Sequence, residues 1–114
     1  MKGQDYRDLL STPHPNLEGI MLRQLRQLKG IKVQDLNLRI FEVLPGTENP
    51  LHAHAYSHDL FVLQGEGIIR HENGDHHIKE GDVVFIERDE AHSFANLGDE
   101  LLRFLCIDYC ALGG

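Results

Sequence analysis

Tryptophan is absent from this 114-residue chain, and cysteine and proline are sparse, with two and four copies. The two cysteines, Cys106 and Cys110, are too few and wrongly spaced for a disulfide framework or a zinc ribbon. They are expected to be reduced thiols in a cytoplasmic protein. No apolar run is long enough to span a bilayer. The segment Met1 to Asp8 lacks the apolar stretch of a secretion signal. Positive charge is also scarce. Eleven Lys and Arg face eighteen Asp and Glu, a formal net charge of −7, which argues against coating nucleic acid or an anionic membrane. The length fits one domain. Neither an internal repeat nor a low-complexity tract interrupts it.

Histidine is what the chain has in quantity, eight in all. Three fall within seven residues, at His52, His54 and His58, and a fourth, His92, lies in a separate stretch. Side chains two apart on a strand share a face, so His52 and His54 project together as a two-point chelate requires. His58 has the same parity. Neutral imidazole is a common ligand of zinc, copper, iron and nickel. A solvated histidine loop is the bland alternative. His71, His76 and His77 surround Asn73-Gly74 and read as solvated turn residues.

The pattern around these histidines is that of short strands. Residues 1–18 are polar, carry Pro13 and Pro15, and read as an arm whose Leu9 and Leu10 could dock on a barrel or on a partner subunit; residues 19–114 read as one barrel domain. Gly19 to Leu28 fits a helix face or a strand with Arg23 and Arg26 outward, and strand is preferred because strands follow it. Lys29-Gly30 is expected to turn. Val33 to Val43 alternates, and Pro45-Gly46 ends it. Leu60 to Leu63 is continuously apolar, as in a strand covered on both faces. Asn73-Gly74 predicts a type I′ hairpin between Ile68–Glu72 and Asp75–Lys79. Strands are further expected at Val83 to Ile86, His92 to Asn96 and Glu100 to Asp108. Such spacing argues an all-β sandwich or barrel.

Two motifs in this order resemble the cupin superfamily, in its single-domain form. The first reads Gly46, His52, His54, His58 and Gly65, with His58 where the family usually has glutamate. The second reads Gly81, Glu87 for a usual proline, Asp89 for a usual glycine, His92 and Asn96. The resemblance covers about Val33 to Asp108. It implies a double-stranded β-helix, or jelly-roll, barrel and frequent pairing as homodimers. It also implies one divalent transition metal per chain (Mn, Fe, Ni, Cu or Zn) on His52, His54, His58 and His92. The sequence is similar to a four-histidine subgroup of small bacterial cupins, for which manganese or a similar metal and oxygen-dependent chemistry are known. A one-residue bulge would instead bring Asp59 inward in place of His58.

Four neutral ligands leave the metal's full charge in place, making it a stronger Lewis acid toward anionic ligands. The expected function is a metal-dependent oxygenase, dioxygenase-like, or a related oxidoreductase acting on a small organic substrate. A non-catalytic ligand-binding or sugar-binding cupin, or a sugar isomerase, is the alternative. Parity suggests further pocket residues. Phe94 shares a face with His92 and Asn96, while Phe104, Cys106 and Asp108 share another. Phe94 and Phe104 either line the cavity or are plain core. Cys106 is either a small buried hydrophobe or a functional thiol. Arg39 either faces an anionic substrate or lies outward. Tyr56 is a candidate proton donor at the cavity mouth or a surface tyrosine.

Overall fold

The alternation in the middle of the chain becomes the register of an antiparallel sheet. In the computed structural model, residues 1–31 and 34–111 are described, and the side chains of residues 29–31, 34, 110 and 111 are not. The expected strand start at Val33 and the thiol of Cys110 therefore lie outside the described residues. The strands are β1 (Thr12–Pro13), β2 (Ile20–Ile31), β3 (Gln34–Val43), β4 (Thr47–Glu48) and β5 (Ser57–Gln64). There follow β6 (Glu66–His71), β7 (Gly74–Lys79), β8 (Val83–Ile86), β9 (His92–Asn96) and β10 (Leu102–Ala111). The order is β1-β2-β3-β10-β5-β8 in one sheet and β4-β9-β6-β7 in the other, with every pairing antiparallel. Two such sheets, face to face, are the expected all-β jelly-roll barrel. Among the described residues no helix is long and apolar enough to cross a membrane.

Their inner faces meet in one core. Phe41, Phe94 and Phe104 are each at most 1% exposed, and their ring centroids lie 5.0–6.3 Å apart in edge-on and tilted contacts. Leu60, Val62, Ile69, Ile78 and Leu102 pack around them. Burying each large apolar side chain contributes roughly 1.5–3 kcal/mol. At the end of β5, Gly65 has φ +81°, and a Cβ there would lie 2.3 Å from the Leu101 carbonyl oxygen. The last glycine of the first motif is thus required on both conformational and steric grounds.

Three local expectations are corrected. Lys29 and Gly30 continue β2, which pairs with β3 as far as Ile31 opposite Gln34, with the register shifting between Leu28 and Ile31. The β6–β7 loop is Glu72-Asn73, because His71 pairs with Gly74. Asn73 does not have the positive φ that a type I′ turn demands; Gly74, at φ 127°, takes up the twist, and the His71 ring accepts from the Asn73 amide. The Leu60 to Leu63 run is not covered on both faces. Leu60 and Val62 point inward, whereas Phe61 is 43% exposed beside its partner Val83. In the arm, Leu10 is exposed and Leu9 half-buried, while Tyr6 packs on the barrel with its ring under the guanidinium groups of Arg23 and Arg103, and Leu17 packs against the core. Those two arginines donate to the buried Glu42, so Arg23 lies on the outer face, as expected, and is paired there.

Candidate metal centre

Two widely separated segments are joined by backbone first. His52 and His92 form an isolated antiparallel bridge in which each amide donates to the other's carbonyl at 2.9 Å. Directly opposed residues project to one side, and the two ring centroids are 4.5 Å apart. The Asp89 amide donates to the His54 carbonyl, tying the turn before β9 to the histidine stretch. Asp89 takes φ 63°, the left-handed conformation for which the family's usual glycine is suited; aspartate tolerates it better than most residues. The altered second motif thus keeps a left-handed residue at this position.

The donor atoms of His52, His54 and His92 all lie within 4.8 Å of one another. His58, on β5, joins them. Its Nε2 lies 2.6 Å from His54 Nε2, and its Nδ1 faces the Asp108 carboxylate. The hydrogen bonds fix the tautomers. His54 Nδ1 donates to the Tyr56 carbonyl, His92 Nδ1 to the Glu90 carbonyl, and His58 Nδ1 to Asp108. Each of these rings therefore presents an Nε2 lone pair. The Nε2 atoms of His54 and His58 face each other at 2.6 Å, an approach that a shared proton or a shared cation makes favourable. His92 Nε2 and His52 Nδ1 are buried without a hydrogen-bond partner. Such orphaned acceptors are rare in folded proteins, and here they surround one point. Burial lowers the pKa of all three rings of the cluster, that of His92 to about 4, so they are neutral and able to ligate near pH 7. The residues fit a divalent transition metal.

Asp59 does not compete with His58. It faces outward, where Tyr109 Oη donates to it at 3.5 Å, and neither neighbouring strand shows a register shift near it. Behind His58 stands a buried polar chain. Asp108 Oδ1 accepts from His58 Nδ1 and from Cys106 Sγ at 2.8 Å, and Oδ2 accepts from Arg39 Nη2. Burial alone would raise the Asp108 carboxyl, but the hydrogen bonds from His58 and Cys106 and the charge of Arg39 outweigh it and hold the group below its ordinary range. Burial pushes the Cys106 thiol well up, so it stays protonated.

The cavity in front of the histidines holds about 300 Å³. Arg39, Tyr56 and Phe94 line it, as expected for inward-facing residues. Tyr56 stacks on His54 with centroids 3.9 Å apart, and its hydroxyl is within reach of Arg39. Phe104 and Cys106 are not in the lining: both are fully buried, Phe104 in the aromatic core and Cys106 behind His58. His76 and His77 are exposed, and His71 sits 3.5 Å from Glu90, all away from the cavity. Sequence reasoning gave no role to two residues, Asp108 and His14. The parity that Asp108 shares with Phe104 and Cys106 placed it on an inner face, but only the β5–β10 register sets it opposite His58. His14 lines the cavity from the arm, and no spacing signal foreshadows it.

Residues 39–108 match the family model described as a Cupin domain. Over 101 residues the chain is 31% identical to an uncharacterized protein of Methanocaldococcus jannaschii, spanning 85% of this chain and 78% of that one. It is 42% identical over 65 residues to an oxalate-binding protein of Thermotoga maritima, covering 55% of this chain and 53% of the relative. Among solved structures it resembles the polyketide cyclase RemF of Streptomyces resistomycificus, with TM-score 0.82, 26% identity, and 96% and 80% of the two chains covered. The fold, the motifs and these likenesses together show that the chain belongs to the cupin superfamily.

Proposed function

We propose that this cupin is a metalloenzyme of the four-histidine kind. In this reading His52, His54, His58 and His92 hold one divalent transition metal, and the protein acts as a metal-dependent oxygenase or related oxidoreductase on a small organic substrate. The observation that carries the reading is the convergence of His52, His54 and His92, whose donor atoms lie within 4.8 Å of one another, with His58 Nε2 2.6 Å from His54 Nε2. When bound, the metal would supply Lewis acidity and, if redox-active, electron transfer to an oxidant such as dioxygen.

The chain's own groups divide the remaining tasks. Asp108 fixes the His58 tautomer and orientation, as carboxylates behind metal-ligating histidines do. Arg39 holds Asp108 and packs over Phe41 at 4.8 Å, while its Nε remains a buried donor without a partner. Tyr56, whose pKa is raised by burial, keeps its proton and can donate it to a substrate oxygen. Leu17, Phe41 and Phe94 give the cavity apolar walls that limit water. Among the described residues no Asp or Glu lines the cavity, which disfavours isomerisation through a carboxylate base.

A second reading, binding of a small carboxylate without turnover, is favoured by one observation: the cationic Arg39 lines the cavity together with His52, His54 and His58, in a chain similar to an oxalate-binding protein. Metal analysis of protein purified without added metal is expected to find near one transition-metal ion per chain. Oxygen uptake with a panel of enols and alkenes then separates the readings, since a metal-loaded protein silent across the panel favours the binder. We further propose a cytoplasmic homodimer. The exposed Phe61, Val83 and Phe85 on neighbouring strands β5 and β8 support the pairing, and sedimentation of the wild type against Phe85→Lys tests it.

A further inference from the structure

The arm before β2 supplies a ring to the cavity wall. β1 pairs Thr12 with Leu22 and Pro13 with Met21, and the His14 amide donates to the Ile20 carbonyl at 2.8 Å. This anchors the residue that follows β1. The His14 ring lies edge-on to Phe41, centroids 5.8 Å apart, and lines the same cavity as Arg39, Tyr56 and His58. Its Nδ1 accepts from the Asn16 amide at 3.0 Å and from the Leu17 amide at 3.1 Å. A neutral ring accepting at Nδ1 carries its proton on Nε2. Burial lowers the ring's pKa, with the positive charge of Arg39 adding to this, so the neutral form prevails near pH 7.

The tautomer of His14 is therefore opposite to that of His54, His58 and His92. Those three offer lone pairs, whereas His14 offers an N–H. Both of its hydrogen bonds are at Nδ1, and it belongs neither to the His52, His54 and His92 cluster nor to the second group whose donor atoms lie close enough to hold a metal, His58, Cys106 and Asp108. The cavity so built has acceptors for a cation at one wall and donors elsewhere: His14 Nε2–H and the Tyr56 hydroxyl. A ligand that satisfies both is an oxygen anion, with one oxygen for the cation and another for the donors.

We propose that His14 is a ligand-contacting residue, its Nε2–H donating to an oxygen of a small carboxylate or enolate anion held in the cavity. The inference rests on the metal centre proposed above, and it makes the arm part of the site. The N–H is fixed before the ligand arrives, so little ordering is lost on binding.

The test uses the whole chain, the His14→Asn variant, Zn(II) as a diamagnetic metal and oxalate as probe. Asparagine suits the position because its side-chain oxygen can accept from the amides two and three residues on, as His14 Nδ1 does, while nothing replaces Nε2–H. Metal stoichiometry and affinity are expected to be equal in the two proteins. Oxalate, titrated calorimetrically, is expected to bind the variant at least about tenfold more weakly, the effect of losing one hydrogen bond to a charged group. In the wild type, the ring nitrogen signal that vanishes in His14→Asn is expected to report protonation at Nε2 and to shift on adding oxalate.

Equal oxalate affinity in the two metal-loaded proteins, or a His14 signal unmoved at saturation, overturns the assignment and leaves the metal centre standing. Failure of the metal-loaded wild type to bind oxalate overturns it as well. A variant that loses metal shows that His14 supports the centre and not the ligand, which also refutes it. A wild type that takes up no metal fails the metal reading itself, and the inference with it.

Discussion

Replacing Asp108 with asparagine separates support of the metal centre from support of the fold. The side chain is 3% exposed and keeps its shape in the variant. Asparagine Oδ1 can still accept from His58 Nδ1 and Cys106, but the Nδ2 amide replaces the oxygen that accepts from Arg39, setting donor against donor. The negative charge that makes the His58 imidazole a better donor of electrons is lost. Removing a carboxylate behind a metal-ligating histidine weakens metal binding about 10–100-fold, or roughly 1.4–2.7 kcal/mol. Arg39, with its side chain 16% exposed, is left nearly buried without its acid, which costs roughly 2–4 kcal/mol of stability. Glu42→Gln is the matched control. Glu42 is likewise buried and paired, with Arg23 and Arg103, but on the outer face of the six-stranded sheet. Both variants are expected to unfold at lower urea concentration. Only Asp108→Asn is expected to lose a zinc competition against a fluorescent chelator. If Asp108→Asn binds within about twofold of wild type, or if Glu42→Gln weakens metal equally, the carboxylate is not tuning the ligand and the argument fails.

Other expectations follow from single contacts. His52→Ala and His92→Ala should each strip the metal, as elemental analysis after dialysis would show; retention of near one ion per chain in either would place the metal elsewhere. Asp89→Gly should raise stability by about 0.5–1 kcal/mol in denaturant unfolding without changing metal content, because glycine adopts φ 63° without a Cβ penalty. A loss of stability there would mean that the Asp89 side chain contributes more than its backbone costs. In metal-free protein, stability should fall as pH drops from about 6.5 toward 4. His14, His52, His54 and His92 are held below their ordinary pKa chiefly by burial, His92 at about 4, so in that window the unfolded chain binds protons that the folded chain does not. Each such ring contributes a slope of up to about 1.4 kcal/mol per pH unit, and above the window the curve should be flat. Equal urea midpoints at pH 7.5 and pH 5 would show that the rings are not buried together.

Of the site, the sequence made legible what period-2 parity and motif spacing encode. His52 and His54 share a face by parity, and the resemblance of the second motif to the cupin pattern implied that His92 joins them. Parity likewise placed Phe94 and His92 together, and the strand pattern implied the two-sheet architecture. Register was harder to read. The Asn73-Gly74 signal was displaced by one residue, because a glycine that follows the turn can supply the positive φ as well as one inside it. Exposure of Phe61 was also unreadable, because apolar composition does not tell an open sheet face from a covered one.

Long-range pairing hid the rest. The role of Asp108 depends on its position opposite His58 across two strands fifty residues apart in sequence, and that of His14 on an arm strand folding back along β2. This bears on the chemistry of the proposed centre. Read linearly, His58 in place of the family's glutamate removes an acid from the site. In three dimensions the acid is displaced rather than lost, because a carboxylate stands at the far nitrogen of that same imidazole, one ring further from the metal position. Its charge is shared with Arg39, so the field at a metal held by these histidines would fall between that of four isolated imidazoles and that of a carboxylate ligand. The proposed centre therefore keeps much of the Lewis acidity of neutral ligation, with a histidine made more basic and held in one orientation.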